Sequence, residues 1–156
     1  MTWGETDILI LSEINSSFMD ALKLRLSKDK NYQKHKERVF FILGPVQEID
    51  NSEPLDIIIC GIPFLNLDIP TIENIFSKLC QMSKPETLMT FYQYMGMRSL
   101  AKILPPKSRQ DRVKRIENFF DQHFSEKHQN VLKVWLNFLP INIYTIKPYY
   151  YLQPAN

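Results

Sequence analysis

The chain has 156 residues and a mass of 18.5 kDa, with 44% hydrophobic and 23% charged residues and a formal charge of +2. These values suit one globular domain spanning 1–156 and exclude disordered, collagenous and coiled-coil chains. No apolar run nears the roughly 20 residues of a membrane-spanning helix, and so small a charge does not by itself argue for nucleic acid. MTWGETDILI lacks the basic-then-apolar pattern of a secretory signal. Cys60 and Cys80 both lie inside apolar segments, as buried thiols do. Together these features predict a cytoplasmic, reducing setting.

In chain order, DILIL (7–11) reads as a buried strand. Ser16 or Ser17 is expected to cap a helix with Phe18, Ala21, Leu22, Arg25 and Leu26 at helical spacing. KDKNYQKHKER has no periodicity and is expected to be a solvated connector. VFFIL (39–43) is a second strand stopped by Gly44-Pro45, and LDIIIC (55–60) is a third, stopped by Gly61-Ile62-Pro63. Asp68 and Pro70 open a helix that carries Ile72, Ile75, Phe76, Leu79 and Cys80 on one face. A fourth strand is expected over 88–92. A short helix around Leu100, Ile103 and Leu104 must end at Pro105-Pro106. Ser108 starts another helix, with Val113, Ile116, Phe119, Phe120 and Phe124 on its apolar face. Extended runs over 131–138 and 141–147, joined at Leu139-Pro140, must be antiparallel. The sum is an α/β three-layer domain: a mainly parallel sheet covered on both faces, with an antiparallel hairpin at one edge.

Ligands of open parallel sheets bind outside the carboxyl ends of the strands. That rule selects Glu13 with Ile14, then Gly44-Pro45-Val46, then the turn Cys60-Gly61-Ile62-Pro63-Phe64. A carboxylate at a strand tip accepts hydrogen bonds from two adjacent hydroxyls of a ribose; alternatively, it complements the dipole of the following helix. In the later turn Gly61 permits close approach, Pro63 fixes the chain and Phe64 offers a ring to a cation; alternatively, Phe64 is simply buried. The four glycines are too far apart to form a phosphate-cradling loop. His35, His123 and His128 show no metal-ligand spacing, so no metal is expected.

Several segments carry a resemblance. DILILSEINSSFMDALKLRL looks like the second strand and following helix of a class I S-adenosylmethionine-dependent methyltransferase, where an acidic residue ends the strand. LDIIICGIPFLNLDIPTIENIF is similar to the fourth strand, substrate-facing turn and next helix of that fold. The version is closest to the bacterial phospholipid N-methyltransferases, and ribosomal RNA adenine dimethylases share part of the pattern. Lys84-Pro85-Glu86-Thr87, TLMTFYQYM and WLNFLPINIYTI resemble the family's segment before the fifth strand, that strand, and the turn between the last two. The resemblance implies a Rossmann-like methyltransferase fold and S-adenosylmethionine as cofactor. It implies Glu13 and Ile14 at the cofactor's ribose, Gly44-Pro45-Val46 by the adenine, and Cys60 beside the cofactor. Gly61, Ile62, Pro63 and Phe64 would border the reacting methyl and the acceptor amine.

The resemblance also has departures. Pro45 stands where the family usually has an acidic residue. Only Met1 to Thr6 precede the acidic strand, where the family has a first strand and a glycine-rich loop. The expectation is therefore a partner, or a missing N-terminal segment, that completes the sheet. The stretch Arg98 to Arg115 has seven basic residues and only Asp111 as an acid, a local charge of +6. This suggests an anionic membrane surface, with RNA phosphates as the second choice. The reading is N-methyl transfer to an amine, a phospholipid headgroup such as phosphatidylethanolamine. The alternatives are a non-catalytic interaction protein on a degenerate scaffold and an RNA adenine N-methyltransferase.

Overall fold

A computed structural model describes residues 4–50, 53–94, 107–123, 130–135 and 140–152. The chain divides into two compact units, 1–50 and 51–156.

In the first unit β1 (Leu9–Glu13) pairs in parallel with β2 (Val39–Leu43), with Leu9 opposite Val39 and Glu13 opposite Leu43. Between them run α1 (Ser16–Leu26) and α2 (Lys30–His35). Asn15 caps α1, one residue before the expected serines: its side-chain oxygen accepts the Ser17 and Phe18 N–H groups at 2.9 and 3.2 Å. The stretch expected to be a connector is partly helical. Asp29 accepts the Asn31 and Tyr32 N–H groups at 2.7 and 2.9 Å, and Tyr32 meets Phe41 edge-on at 6.3 Å. A cap and one aromatic contact thus stabilise a helix too short to show periodicity. The Arg38 guanidinium donates to the carbonyls of Gly4, Glu5 and Asp7 and holds the segment ahead of β1.

The second unit contains β3 (Leu55–Cys60), α3 (Ile69–Gln81), β4 (Ser83–Tyr94), α4 (Lys107–His123), β5 (Asn130–Val134) and β6 (Ile141–Ile146). The strands lie in the order β3-β4-β6-β5; β3 is parallel to β4, and β6 is antiparallel to both β4 and β5. The hairpin is as expected. The single mainly parallel sheet is instead a parallel pair and a mixed sheet of four. β4 begins at Ser83 rather than Leu88. A register shift between Leu55 and Ile57 accommodates Pro85, which has no N–H to give to a regular ladder. Thr87, 0% exposed, accepts the Lys84 N–H at 2.8 Å and donates to the Leu55 carbonyl at 2.5 Å, securing that irregular start.

Asp68 caps α3 through the Thr71 N–H at 2.9 Å, with Pro70 in the first turn as expected. α3 and α4 cover one face of the sheet. Phe76 from α3 and Phe120 from α4 meet Phe91 of β4 at 6.0 and 5.6 Å, and each other at 5.9 Å. Val113, Ile116 and Phe119 of α4 join them in the core. Coverage of both faces is not found among the described residues. Ile57, Ile59 and Leu88 alternate with the core residues and stand on the other face, 70%, 83% and 44% exposed. The expected helix around Leu100, Pro105-Pro106, Phe124 and Leu139 lie outside the described residues.

Two substitutions test this packing. Phe76→Ala should cost about 3–5 kcal/mol in urea unfolding, because a fully buried ring leaves a cavity among three others. Thr87→Val should cost about 1–3 kcal/mol by leaving the Lys84 N–H and the Leu55 carbonyl without their partner.

Candidate active site

In the first unit an acidic residue follows or ends each of the two parallel strands. Glu13 is the last residue of β1, and its Oε1 accepts the Asn15 N–H at 2.8 Å. The carboxylate therefore helps order the turn into α1, and its second oxygen is left for other donors. Ile14 is 73% exposed. Gly44 is tied to the end of β1: its N–H donates to the Glu13 carbonyl at 3.0 Å, and its own carbonyl accepts Ser12 Oγ at 3.0 Å. Pro45 then leads into a 3₁₀ turn over Val46–Glu48. A Cβ on Gly44 would stand 3.0 Å from Glu48 Oε2, so this end of the pair holds a second carboxylate. Sequence reading looked for an acid at position 45 and missed Glu48, which the turn carries back.

In the second unit the turn after β3 is seated in the core. Phe64 is 2% exposed, and its ring lies 5.2, 5.8 and 5.5 Å from those of Phe76, Phe91 and Phe120. The expectation that it offers a face to a cation is corrected: four mutually packed rings leave Phe64 no free face. Pro63 is exposed. The Ile62 and Pro63 carbonyls accept the Phe64 and Asn66 N–H groups at 3.0 and 2.9 Å, so each has one further lone pair. Cys60 is buried, and burial pushes its thiol up despite the Ile62 N–H that favours the thiolate. A Cβ on Gly61 would meet no atom within 4 Å. The protein's own packing does not demand glycine there; the residue leaves open space.

A cavity of about 260 Å³ lies at the carboxyl ends of β3 and β4, lined by Pro63–Asn66 and Tyr92–Tyr94. It is below the roughly 300–1,000 Å³ of typical small-molecule sites, so it suits a compact group rather than a whole nucleoside. The aromatic faces come from Tyr92 and Tyr94, which meet edge-on at 5.7 Å. Burial, and then Tyr94, push the Tyr92 phenol up, so it stays protonated at neutral pH. Gln93, between them, carries a buried Nε2 that has no hydrogen-bond partner among the described residues, and Asn142 opposite it on β6 has a buried Oδ1 in the same condition. Sequence reading missed both amides. The strand register alone brings them level, and that register follows from pairing across 49 residues.

With this geometry in place, comparison with known proteins gives the fold its class. No family profile matches the chain, and no curated protein matches its sequence. Solved structures do. An rRNA methylase from Streptococcus thermophilus superposes with a TM-score of 0.56 at 12% identity, over 90% of this chain and 73% of that one. An O-methyltransferase from Bacillus cereus, solved in complex with SAH, gives 0.59 at 15% identity, over 90% and 63%. The glycopeptide N-methyltransferase MtfA, complexed with (S)-adenosyl-L-methionine, gives 0.57 at 9%, over 89% and 72%. The chain has a Rossmann-like methyltransferase fold, and it spans from under two thirds to about three quarters of the length of these structures.

Both cysteines are predicted to be inert in the folded chain. Cys80 is buried, donates to the Pro148 carbonyl at 2.8 Å, and burial pushes its thiol from the usual 9.0 up to about 12. A disulfide-exchange reagent at about pH 8 should titrate neither thiol until denaturant is added. Since the folded value is the higher one, stability is full below pH 9 and declines as pH rises toward 12. Replacing Cys80 with Ala should flatten that decline.

Proposed function

We propose that the protein transfers a methyl group from S-adenosylmethionine to an amine, and that the acceptor is the primary amine of a phospholipid headgroup such as phosphatidylethanolamine. The observation that carries this reading is the small tyrosine-lined cavity at the strand ends of a methyltransferase fold. In the first unit the outer oxygen of Glu13 suits a ribose hydroxyl; in the second, taken by itself, the open space at Gly61 suits a close ligand. The similar structures solved with SAH or (S)-adenosyl-L-methionine support the same cofactor. By resemblance, Gly44-Pro45-Val46 would lie by the adenine, with Glu48 supplying the carboxylate that Pro45 lacks. Cys60 would lie beside the sulfonium end.

When bound, S-adenosylmethionine supplies an electrophilic methyl group on a sulfonium, a good leaving group. The chain's own part would be to present a neutral amine to that methyl group and to let the extra proton pass to water. The protein's task is orientation and desolvation, since the amine must arrive neutral and in line. The faces of Tyr92 and Tyr94 would stabilise the positive charge that grows on nitrogen, an effect of about 0.5–2 kcal/mol. The outward lone pairs of the Ile62 and Pro63 carbonyls would aim the N–H groups. The unpaired Gln93 Nε2 would donate to a phosphate oxygen of the headgroup. The exposed Lys114 and Arg115 on α4 belong to the basic run that suggested an anionic surface.

Methyl incorporation from labelled S-adenosylmethionine into phosphatidylethanolamine vesicles tests the acceptor. Incorporation into structured RNA and not into vesicles would replace the lipid with an adenine amine. Incorporation into neither would favour the non-catalytic scaffold.

Three variants assign the residues. Glu13→Ala should lower cofactor affinity in calorimetry about tenfold or more, the loss of a hydrogen bond to a charged group. Gly61→Val should leave stability within about 0.5 kcal/mol and yet cut methyl transfer about tenfold or more, because its side chain enters space that only a ligand would use. Gln93→Leu should raise the acceptor KM without loss of stability, because it removes a buried donor the folded chain leaves unpaired.

A further inference from the structure

Gln93 Nε2, Asn142 Oδ1 and Arg112 Nε are buried polar atoms without a hydrogen-bond partner among the described residues. Gln93 alternates in step with Phe91, whose ring meets Phe120 of α4 at 5.6 Å, so it stands on the face that α4 covers. Asn142, directly across on β6, shares that face. Arg112 belongs to the same interior. At about 100° per residue it falls inside the arc of α4 that buries Val113, Ile116, Phe119 and Phe120. Its exposed neighbours Asp111, Lys114 and Arg115 lie off that arc, and among the described residues no carboxylate pairs with it. A half-buried arginine without a counter-ion is costly, because the charge loses water and gains no partner.

Topology sets its place along the sheet. β4 and β5 are parallel, each being antiparallel to β6, and α4 lies between them in the chain. A helix that links parallel strands runs back against them, so α4 starts at their carboxyl ends. Measured from the contact of Phe120 with Phe91, Gln93 is about 7 Å toward that end along the strand, and Arg112 about 12 Å along the helix. The two donors are thus roughly 5 Å apart in the strand direction, a gap that an oxyanion accepting on both sides can bridge.

We propose that Arg112 and Gln93 form a subsite for an oxyanion, the phosphodiester of the methyl acceptor. Arg112 supplies the charge, with Nε and one Nη forming a fork on two phosphate oxygens. Gln93 gives one Nε2 hydrogen to the phosphate and the other to Asn142 Oδ1. The proposal rests on the lipid-headgroup reading of the cavity that Gln93 helps to line, and it adds the residue that neutralises the headgroup's negative charge.

NMR titration of the full chain tests this separately from catalysis, with glycerophosphoethanolamine and inorganic phosphate as probes. Both should shift the Arg112 Nε–H and Gln93 side-chain amide signals, whereas ethanolamine, which lacks phosphate, should shift neither. Arg112→Met, which keeps the apolar stem, should weaken glycerophosphoethanolamine binding tenfold or more and leave the melting temperature unchanged. Arg112→Lys should recover part of that loss, because it restores the charge without the fork. Equal shifts with ethanolamine, or binding by Arg112→Met as tight as that of the unaltered chain, would overturn the proposal. A fall in melting temperature in Arg112→Met would do so too, since the guanidinium would then serve the fold. Shifts with inorganic phosphate alone would assign the site to free phosphate and overturn its link to the acceptor. Glycerophosphoethanolamine binding in a chain that methylates no vesicle would uphold the oxyanion site and overturn only the acceptor reading.

Discussion

The packing of Phe64 against Phe76, Phe91 and Phe120 is the constraint on which the second unit depends. Four rings drawn from the turn after β3, from α3, from β4 and from α4 lie within 6.0 Å of one another in every pairing. Burying aromatic area of this size is a dominant favourable term in folding. The same contact fixes where the chain after Cys60 must go. Because Phe64 is an anchor, Pro63 on one side and Leu65-Asn66 on the other are held as the wall of a cavity rather than left as a loose loop.

That anchoring transfers the aromatic chemistry from one residue to others. Alternation along β4 sends Phe91 into the core and leaves Tyr92 and Tyr94 on the opposite side of the strand. The tyrosines retain faces and polar ends that a buried phenylalanine lacks. Gln93 points to the core side, where its amide nitrogen finds no partner among the described residues. A similar economy holds in the first unit. There Glu13 serves the start of α1 with one oxygen, and the Gly44-Pro45 turn returns Glu48 to the same end of the parallel pair.

Much of the scaffold was legible in the residues. VFFIL and LDIIIC are apolar runs with clear stops, and they are strands with the expected limits. Asp68 and Pro70 start α3 as their capping chemistry requires, and Val113, Ile116, Phe119 and Phe120 are buried at helical spacing. What went unread was what depends on distant partners. The first turns of α2 depend on Asp29 and on Phe41 across the unit. The early start of β4 depends on Thr87 bridging to Leu55.

The residues along the chain determined the local elements, the strand-tip carboxylate and the turn at 61–64, because strand alternation, helix capping and glycine–proline stops act within a few residues. Tertiary structure alone decided that Phe64 faces inward and that the tyrosines line the cavity. It alone brought Gln93 level with Asn142 and left Ile57 and Ile59 uncovered. Each of these follows from strand order and register, which are set by contacts between residues far apart in the chain and by the packing of whole faces.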